Sequence, residues 1–259
     1  MSLAASRVTA RNLAQAAKKL TSRLVPGAPL VACAHATVVA KPMKYSLLGT
    51  LSAAALALAV PAVTLAAEVA IANSGVVSAP SCPSSPCSVI SRTTAIQIKD
   101  GGDVDPFKIR RGGSIRSWWV TLAIPSTDEI HYFDTHEGGT ARAALAVLRN
   151  VGGLDYKLVA LSSIVHLQPD FGKTAQLRLT NPIRVVKGDV VALAVPTWLP
   201  ALSLAYPATT SWRASRSAAQ CSDVAIQTMQ SLVGSSAGYD CLYPNALITY
   251  GASESTSRP

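Results

Sequence analysis

Ile115-Arg116-Ser117-Trp118-Trp119-Val120-Thr121-Leu122-Ala123-Ile124 decides the fold class. Trp118, Val120, Leu122 and Ile124 fall on one face of an extended chain, and Trp119, Thr121 and Ala123 on the other. Successive side chains of a strand point to opposite faces, so the run predicts a half-buried strand. A sandwich core takes one such aromatic, which assigns Trp118 to the core and turns Trp119 the other way.

Segments of the same kind surround this run. Upstream, Ala95-Ile96-Gln97-Ile98 precedes Asp100-Gly101-Gly102, and Phe107-Lys108-Ile109 precedes Arg111-Gly112-Gly113. Downstream, Ala143 to Leu148 and Tyr156 to Val165 flank Gly152-Gly153-Leu154-Asp155, a hairpin signal. Gln176 to Leu179, Ile183 to Val186 and Val190 to Val195 follow, with turns at Asn181-Pro182 and Lys187-Gly188-Asp189. Ala246 to Tyr250 is the last strand candidate, and Ser222 to Val233 the one helix candidate. Short strands without interleaved helices predict a single all-β, jelly-roll-like sandwich over residues 93–251. Residues 73–92 are Ser/Pro-rich and form a strap ahead of it, and 252–259 form a disordered tail.

The N-terminal part of the chain has a different character. Met43-Lys44-Tyr45 precedes Ser46 to Leu65, a charge-free run of mostly Leu, Ala and Val, and small residues follow. That order is a secretion signal, assigned to residues 43–72, with Thr64-Leu65-Ala66 and the better-matched Ala70-Ile71-Ala72 as cut sites. Left uncut, a run of about 20 residues is just long enough to anchor the protein in a bilayer with its domain outside. Residues 1–42 are basic and free of acids, a composition shared with organelle transit peptides. Met43 opens a signal of ordinary size, which favours an upstream extension over a working transit peptide.

Charge follows the same division. The chain has 23 basic and 14 acidic residues. Seven of the basic ones, from Arg7 to Lys44, precede the body, and every acid lies at Glu68 or later. The body is therefore close to neutral, which gives no electrostatic case for nucleic acid, and none is expected as a partner. A membrane enters only through an uncleaved signal segment.

Cys33 lies in the leader, and Cys82, Cys87, Cys221 and Cys241 lie in the body. Four cysteines in an exported domain predict two disulfides. Cys82–Cys87 and Cys221–Cys241 close short local loops and are the favoured pairs. Zinc is disfavoured, because no histidine is suitably placed beside the second pair.

Three segments then carry a resemblance. Gly113-Ser114-Ile115-Arg116-Ser117-Trp118, Leu145-Ala146-Val147-Leu148-Arg149 and Val185-Val186-Lys187-Gly188-Asp189-Val190-Val191-Ala192-Leu193 follow a cysteine-bearing strap. This order resembles exported bacterial jelly-roll proteins of unknown function. The resemblance covers about residues 80–195, implies the fold and implies no activity.

Chemistry is thinly signalled. Gly234-Ser235-Ser236-Ala237-Gly238 matches a nucleophile elbow, but a segment read as helical precedes it and the last histidine is His166. His131, Asp134, His136 and Glu137 are metal-ligand types close together; on a strand, Tyr132, Asp134 and His136 would share a face. Asp100, Asp103 and Asp105 on a glycine-containing loop could hold a structural Ca2+. Trp119 beside Trp198 or Trp212, flanked by Arg116, Arg213 or Arg216, could stack on a sugar ring. The leading expectation is a non-enzymatic module, secreted or on the cell surface, that binds carbohydrate or an envelope polymer. The alternatives are a hydrolytic or metal-dependent enzyme using the His131/Asp134/His136 region, and a purely structural envelope protein.

Overall fold

Residues 67–74, 78–82, 87–204, 206–222 and 227–256 are described by a computed structural model. The elements, in chain order, are β1 (Ala67–Ala72), β2 (Ile90–Asp100), β3 (Asp103–Val104), β4 (Gly112–Thr121), α1 (Thr127–His136), β5 (Arg142–Gly152), β6 (Asp155–Leu161), β7 (Val165–His166) and β8 (Thr174–Val186). After them come β9 (Val190–Leu199), β10 (Leu202–Leu204), β11 (Ser211–Ala214), β12 (Ser236–Gly238), β13 (Cys241–Pro244), β14 (Ala246–Ile248) and β15 (Tyr250–Thr256).

Curled antiparallel sheets make a sandwich-like all-β fold, as the alternation predicts. One sheet has four strands in the order β1-β15-β4-β8. The larger sheet runs β12-β6-β5-β9-β2-β11-β13, with β3 attached to β2 and β7 to β5. A short ribbon pairs β10 with β14. Trp118, Val120 and Leu122 are buried in the core with Leu145, Leu148, Val191 and Leu193 from the larger sheet. At roughly 25 cal/mol per Å2 of apolar surface, each such side chain contributes about 1.5–3 kcal/mol.

Ile124 departs from the pattern and is exposed. The strand ends at Thr121, so the alternation that set its facing no longer applies. Pro125 and Ser126 then start a helix. The Ser126 hydroxyl accepts from the Glu129 N–H, and the Glu129 carboxylate accepts from the Ser126 N–H, a reciprocal capping box. The His131–Glu137 segment, expected as a surface loop or strand, is therefore mostly α1. Gln227–Val233, expected as the end of a helix, is not helical; residues 223–226 of that expectation lie outside the described residues.

Several expected strands also differ: Phe107 to Ile109 makes only an isolated bridge at Lys108, Tyr156 to Val165 divides into β6 and β7, and Ala246 to Tyr250 is divided between β14 and β15. Gln176 to Val186, expected as two strands around a turn at Asn181-Pro182, belongs to the single edge strand β8. Its pairing with β4 is irregular between Ile115 and Ser117, and Leu179–Pro182 fall in that gap. Pro lacks an N–H and is tolerated at such a place. Residues 252–256, expected as tail, continue β15 between β1 and β4. Residues 67–72, expected within the signal segment, form β1.

Two disulfides, Cys82–Cys87 and Cys221–Cys241, join the favoured pairs. Under the chain-entropy model the longer loop contributes about 3 kcal/mol and the shorter about 2 kcal/mol. The strap is held along β10, where the Ser81 N–H donates to the Leu202 carbonyl and the Ser203 hydroxyl to the Ala79 carbonyl.

Two of the sequence landmarks meet in space. Arg149 donates from Nε to Asp189 Oδ1 at 2.8 Å and from a terminal nitrogen to Oδ2 at 3.1 Å. Asp189 is buried and also accepts from the Val186 N–H. The turn before β9 is thus clamped to β5 by a two-pronged ion pair, and the neighbouring carboxylate raises the Arg149 pKa further. Gln97 has a comparable role. Buried in β2, it donates to the Lys99, Ser211 and Ala246 carbonyls and accepts from the Ile248 N–H.

Candidate functional site

Trp119 sits on the outer face of the four-stranded sheet, as strand alternation requires once Trp118 is inside. Its cross-strand partners are Gly251 on β15 and Gln176 on β8. The indole lies over Gly251, where any Cβ would overlap the ring. Glycine is therefore the seat that lets a large aromatic lie across the strand. Trp119 is half-buried, and with Ala72, Asn73 and Thr121 it lines a shallow depression.

Three exposed arginines accompany it. Arg178 pairs with Ser117 and shares its face with Gln176, two residues away; Arg184 pairs with Ser114 beyond the irregularity. Arg116 lies at the irregularity itself and is exposed. The strands of this sheet carry two carboxylates, Glu68 on β1 and Glu254 on β15. Glu254 is buried, paired across the strands with Val69 on β1 and with the buried Ile115 on β4. Its burial raises its pKa, partly offset by a hydrogen bond from the Gly112 backbone. The outer face is thus dominated by cations. Arg178 and Arg184 also line a cleft of about 520 Å3 between β6 and β8, together with Leu161, Leu177, Leu179 and Ile183.

The other two tryptophans do not join Trp119. Trp198 is fully buried in β9, packed against Phe133 and Phe171, and its Nε1–H donates to Asp134 at 2.9 Å. Trp212 is buried in β11 and stacked on Tyr243. Arg213 donates to the Tyr239 and Asp240 carbonyls. Arg216 is buried, donating to the Ser91 carbonyl and the Tyr243 hydroxyl. All four anchor the larger sheet instead of extending a platform, so of the expected aromatic and arginine set only Trp119 and Arg116 fall together.

The expected metal sites are not assembled. Asp134 accepts from Trp198 on β9 and from Gln168 Nε2 in the turn ahead of β8, which commits both oxygens to holding α1 in place. His136 lies one helical turn from Tyr132, stacked on its ring and donating from Nδ1 to its carbonyl. Asp100 accepts from the Ser74 N–H and hydroxyl, while Asp105 pairs with Lys108 at 3.5 Å. Among the described residues no three His, Cys, Asp or Glu side chains converge where a cation could sit. Ser236 belongs to the edge strand β12, paired with Lys157, so the strand-turn-helix of a nucleophile elbow is not formed around it.

Sequence reasoning missed Arg178, Arg184 and Gly251. The alternation of β8 could have placed the arginines outward, but the Asn181-Pro182 turn signal hid its continuity. Nothing local marks Gly251 as the seat for an indole more than a hundred positions away. Among the described residues no helix is long and apolar enough to cross a membrane, and the two disulfides suit an extracellular setting. Compared with family models, curated proteins and solved structures, the chain matches none, so function is read from its own residues.

Proposed function

We propose that this is an exported, non-enzymatic binding protein that takes an anionic carbohydrate polymer of the cell envelope on the outer face of its four-stranded sheet. The observation that carries the reading is the Trp119 indole laid over Gly251 with Arg116, Arg178 and Arg184 exposed on the strands beside it. A pyranose presents a face of C–H bonds that packs on an indole, and stacked contacts of this kind contribute about 0.5–1.5 kcal/mol beyond area burial. An arginine fork matches a carboxylate or phosphate on the same polymer. Arg178 and Arg184 border both the sheet face and the β6–β8 cleft, which suits a chain-like ligand running from Trp119 across β8. Export is supported by the signal-like order of Met43 to Leu65 and by the two disulfides. Asp134 bonded to Trp198 and His136 bonded back to its own helix support the binding reading over the enzymatic one.

Affinity electrophoresis against acidic and neutral polysaccharides tests the reading. An acidic polysaccharide should retard the protein, and retardation should fall as salt rises. Trp119→Ala should weaken binding by about tenfold, equivalent to about 1.4 kcal/mol, with the circular dichroism spectrum unchanged. Arg178→Ala combined with Arg184→Ala should weaken it severalfold, most at low salt. Equal retention by neutral and acidic polymers sinks the charge component. Binding that ignores Trp119→Ala sinks the platform.

A further inference from the structure

We propose that the cavity between β1 and the segment 106–111 is a second ligand site, which takes a single anionic sugar: Glu254 receives a ring hydroxyl, and Arg110 and Arg111 receive the anion. The site is separate from the Trp119 face and does not depend on the polymer reading above.

The cavity has a volume of about 330 Å3. Ligand pockets start at about 300 Å3, so this one suits a monosaccharide. Val69 and Ile71 from β1 and Pro106 give it apolar walls, and Lys108, Arg110 and Arg111 line it as well. One carboxyl completes the lining. Glu254 is 4% exposed, and its Oε1 has no hydrogen-bond partner among the described residues. The Gly112 backbone bonds to the same carboxyl group, which places Arg111 one residue away along the chain. The basic side chains do not neutralise Glu254. Lys108 Nζ lies 3.5 Å from Asp105, Arg110 donates to the Val104 and Asp105 carbonyls, and Arg111 is exposed.

The backbone keeps room at the unpaired oxygen. A Cβ on Gly113 would come within 3.1 Å of Glu254 Oε1 and collide with the Ser255 carbonyl oxygen. Gly112 has a φ of 107°, which side chains rarely allow. A buried polar atom left unpaired costs stability, and an apolar side chain of similar size would avoid that cost. A carboxyl kept in the wall of a cavity, with one oxygen open, is instead what recognition of a polar ligand requires.

The charges select the ligand. Three cations in the lining disfavour an ammonium group, so the partner of Oε1 is a neutral donor. A hydroxyl both donates and accepts, and it pairs with a carboxyl in either protonation state. Lys108 is already answered by Asp105, which leaves the two arginine forks for a carboxylate or phosphate. Between these polar ends, Val69 and Pro106 offer apolar surface to ring C–H groups. A sugar acid or a sugar phosphate has all three features in one small molecule.

Ligand-observed NMR on the disulfide-bonded full chain tests the site, with glucuronate, glucose 6-phosphate and glucose as probes. At least one of the two anions should bind with a Kd of about 1 mM or tighter, and glucose at least about tenfold more weakly. The tighter anion tells carboxylate from phosphate. Arg110→Ala combined with Arg111→Ala should weaken the anion about tenfold and leave the melting temperature unchanged. Glu254→Leu should also weaken it about tenfold, while Glu254→Gln, which keeps an acceptor, should stay within about threefold of the parent. Val69→Trp, at an exposed lining position, should fill the cavity and abolish binding without touching any charged group. Trp119→Ala should leave binding of the monosaccharide unchanged. No binding by either anion, equal binding by glucose, or full binding in Val69→Trp overturns the proposal. Loss of binding in Trp119→Ala would put the sugar on the outer face and overturn it too, while leaving the polymer reading in place.

Discussion

Trp119 and Trp198 are the same residue type on opposing sheets, and their surroundings make them different objects. Trp198 is enclosed by Phe133 and Phe171, and Asp134 satisfies its N–H. Trp119 rests on Gly251 and keeps part of its ring in solvent. The difference comes from what the chain lays over each sheet. A capping box starts α1 directly after β4 and brings Phe133 and Asp134 down on Trp198. The strand partners of Trp119 on its own face are a glycine and a glutamine. A buried tryptophan is therefore a stability residue here, and a half-exposed one is available for a ligand.

Substitutions can break this contrast. Trp198→Ala should be the most damaging, at about 3–5 kcal/mol in urea unfolding, because it empties a closed aromatic cluster. A loss below about 1 kcal/mol would mean α1 does not cover β9 as described. Asp134→Ala should cost about 1–3 kcal/mol by leaving the indole N–H buried without its acceptor, and it should leave polymer binding intact. Glu254→Gln sharpens the contrast within the four-stranded sheet, between its wet outer face and dry inner one. The folded state holds the Glu254 proton more tightly than the unfolded chain does. Its favourable contribution is thus fully present below the unfolded pKa of about 4.3 and is lost as pH rises through the higher folded value. Melting temperatures followed upward from pH 4 should decline less in Glu254→Gln than in the parent, and the variant should gain about 2–4 °C at neutral pH for each kcal/mol recovered. Trp119→Ala should have the smallest effect on stability, within about 0.5 kcal/mol, alongside its loss of binding. A large drop in stability there would reassign Trp119 to the core.

How far the fold can be read from the sequence varies with the physics that fixes each element. Trp118 and Val120 follow from alternation, since each is set by its neighbours two positions away. The turn at Lys187-Gly188-Asp189 follows from glycine, which takes a φ of 95° there. The helix was also legible: Ser126 followed by Glu129 is a capping-box pattern, but the histidines and acids downstream draw the eye to metal chemistry instead. β15 was not legible, because Ser253-Glu254-Ser255 looks like tail. It is a strand because β1 and β4 lie on either side of it, which is a property of the assembled sheet. The candidate site divides in the same way. Trp119 facing away from the core is local information, whereas its seat on Gly251 and its company of Arg178 and Arg184 come from strand pairing at long range.

β8 ends the four-stranded sheet with an open edge of thirteen residues, a length at which protein molecules commonly stick to one another. Here the edge resists that. Leu179–Pro182 interrupt the straight row of backbone donors and acceptors that a second molecule would need, and Pro182 has no donor to offer. Arg178 and Arg184 would meet their own counterparts in an edge-to-edge pair and repel them. A bulge and two arginines thus serve as a guard against aggregation. Exchanging both arginines for threonine would be expected to turn a stable solution cloudy long before it loosened the fold.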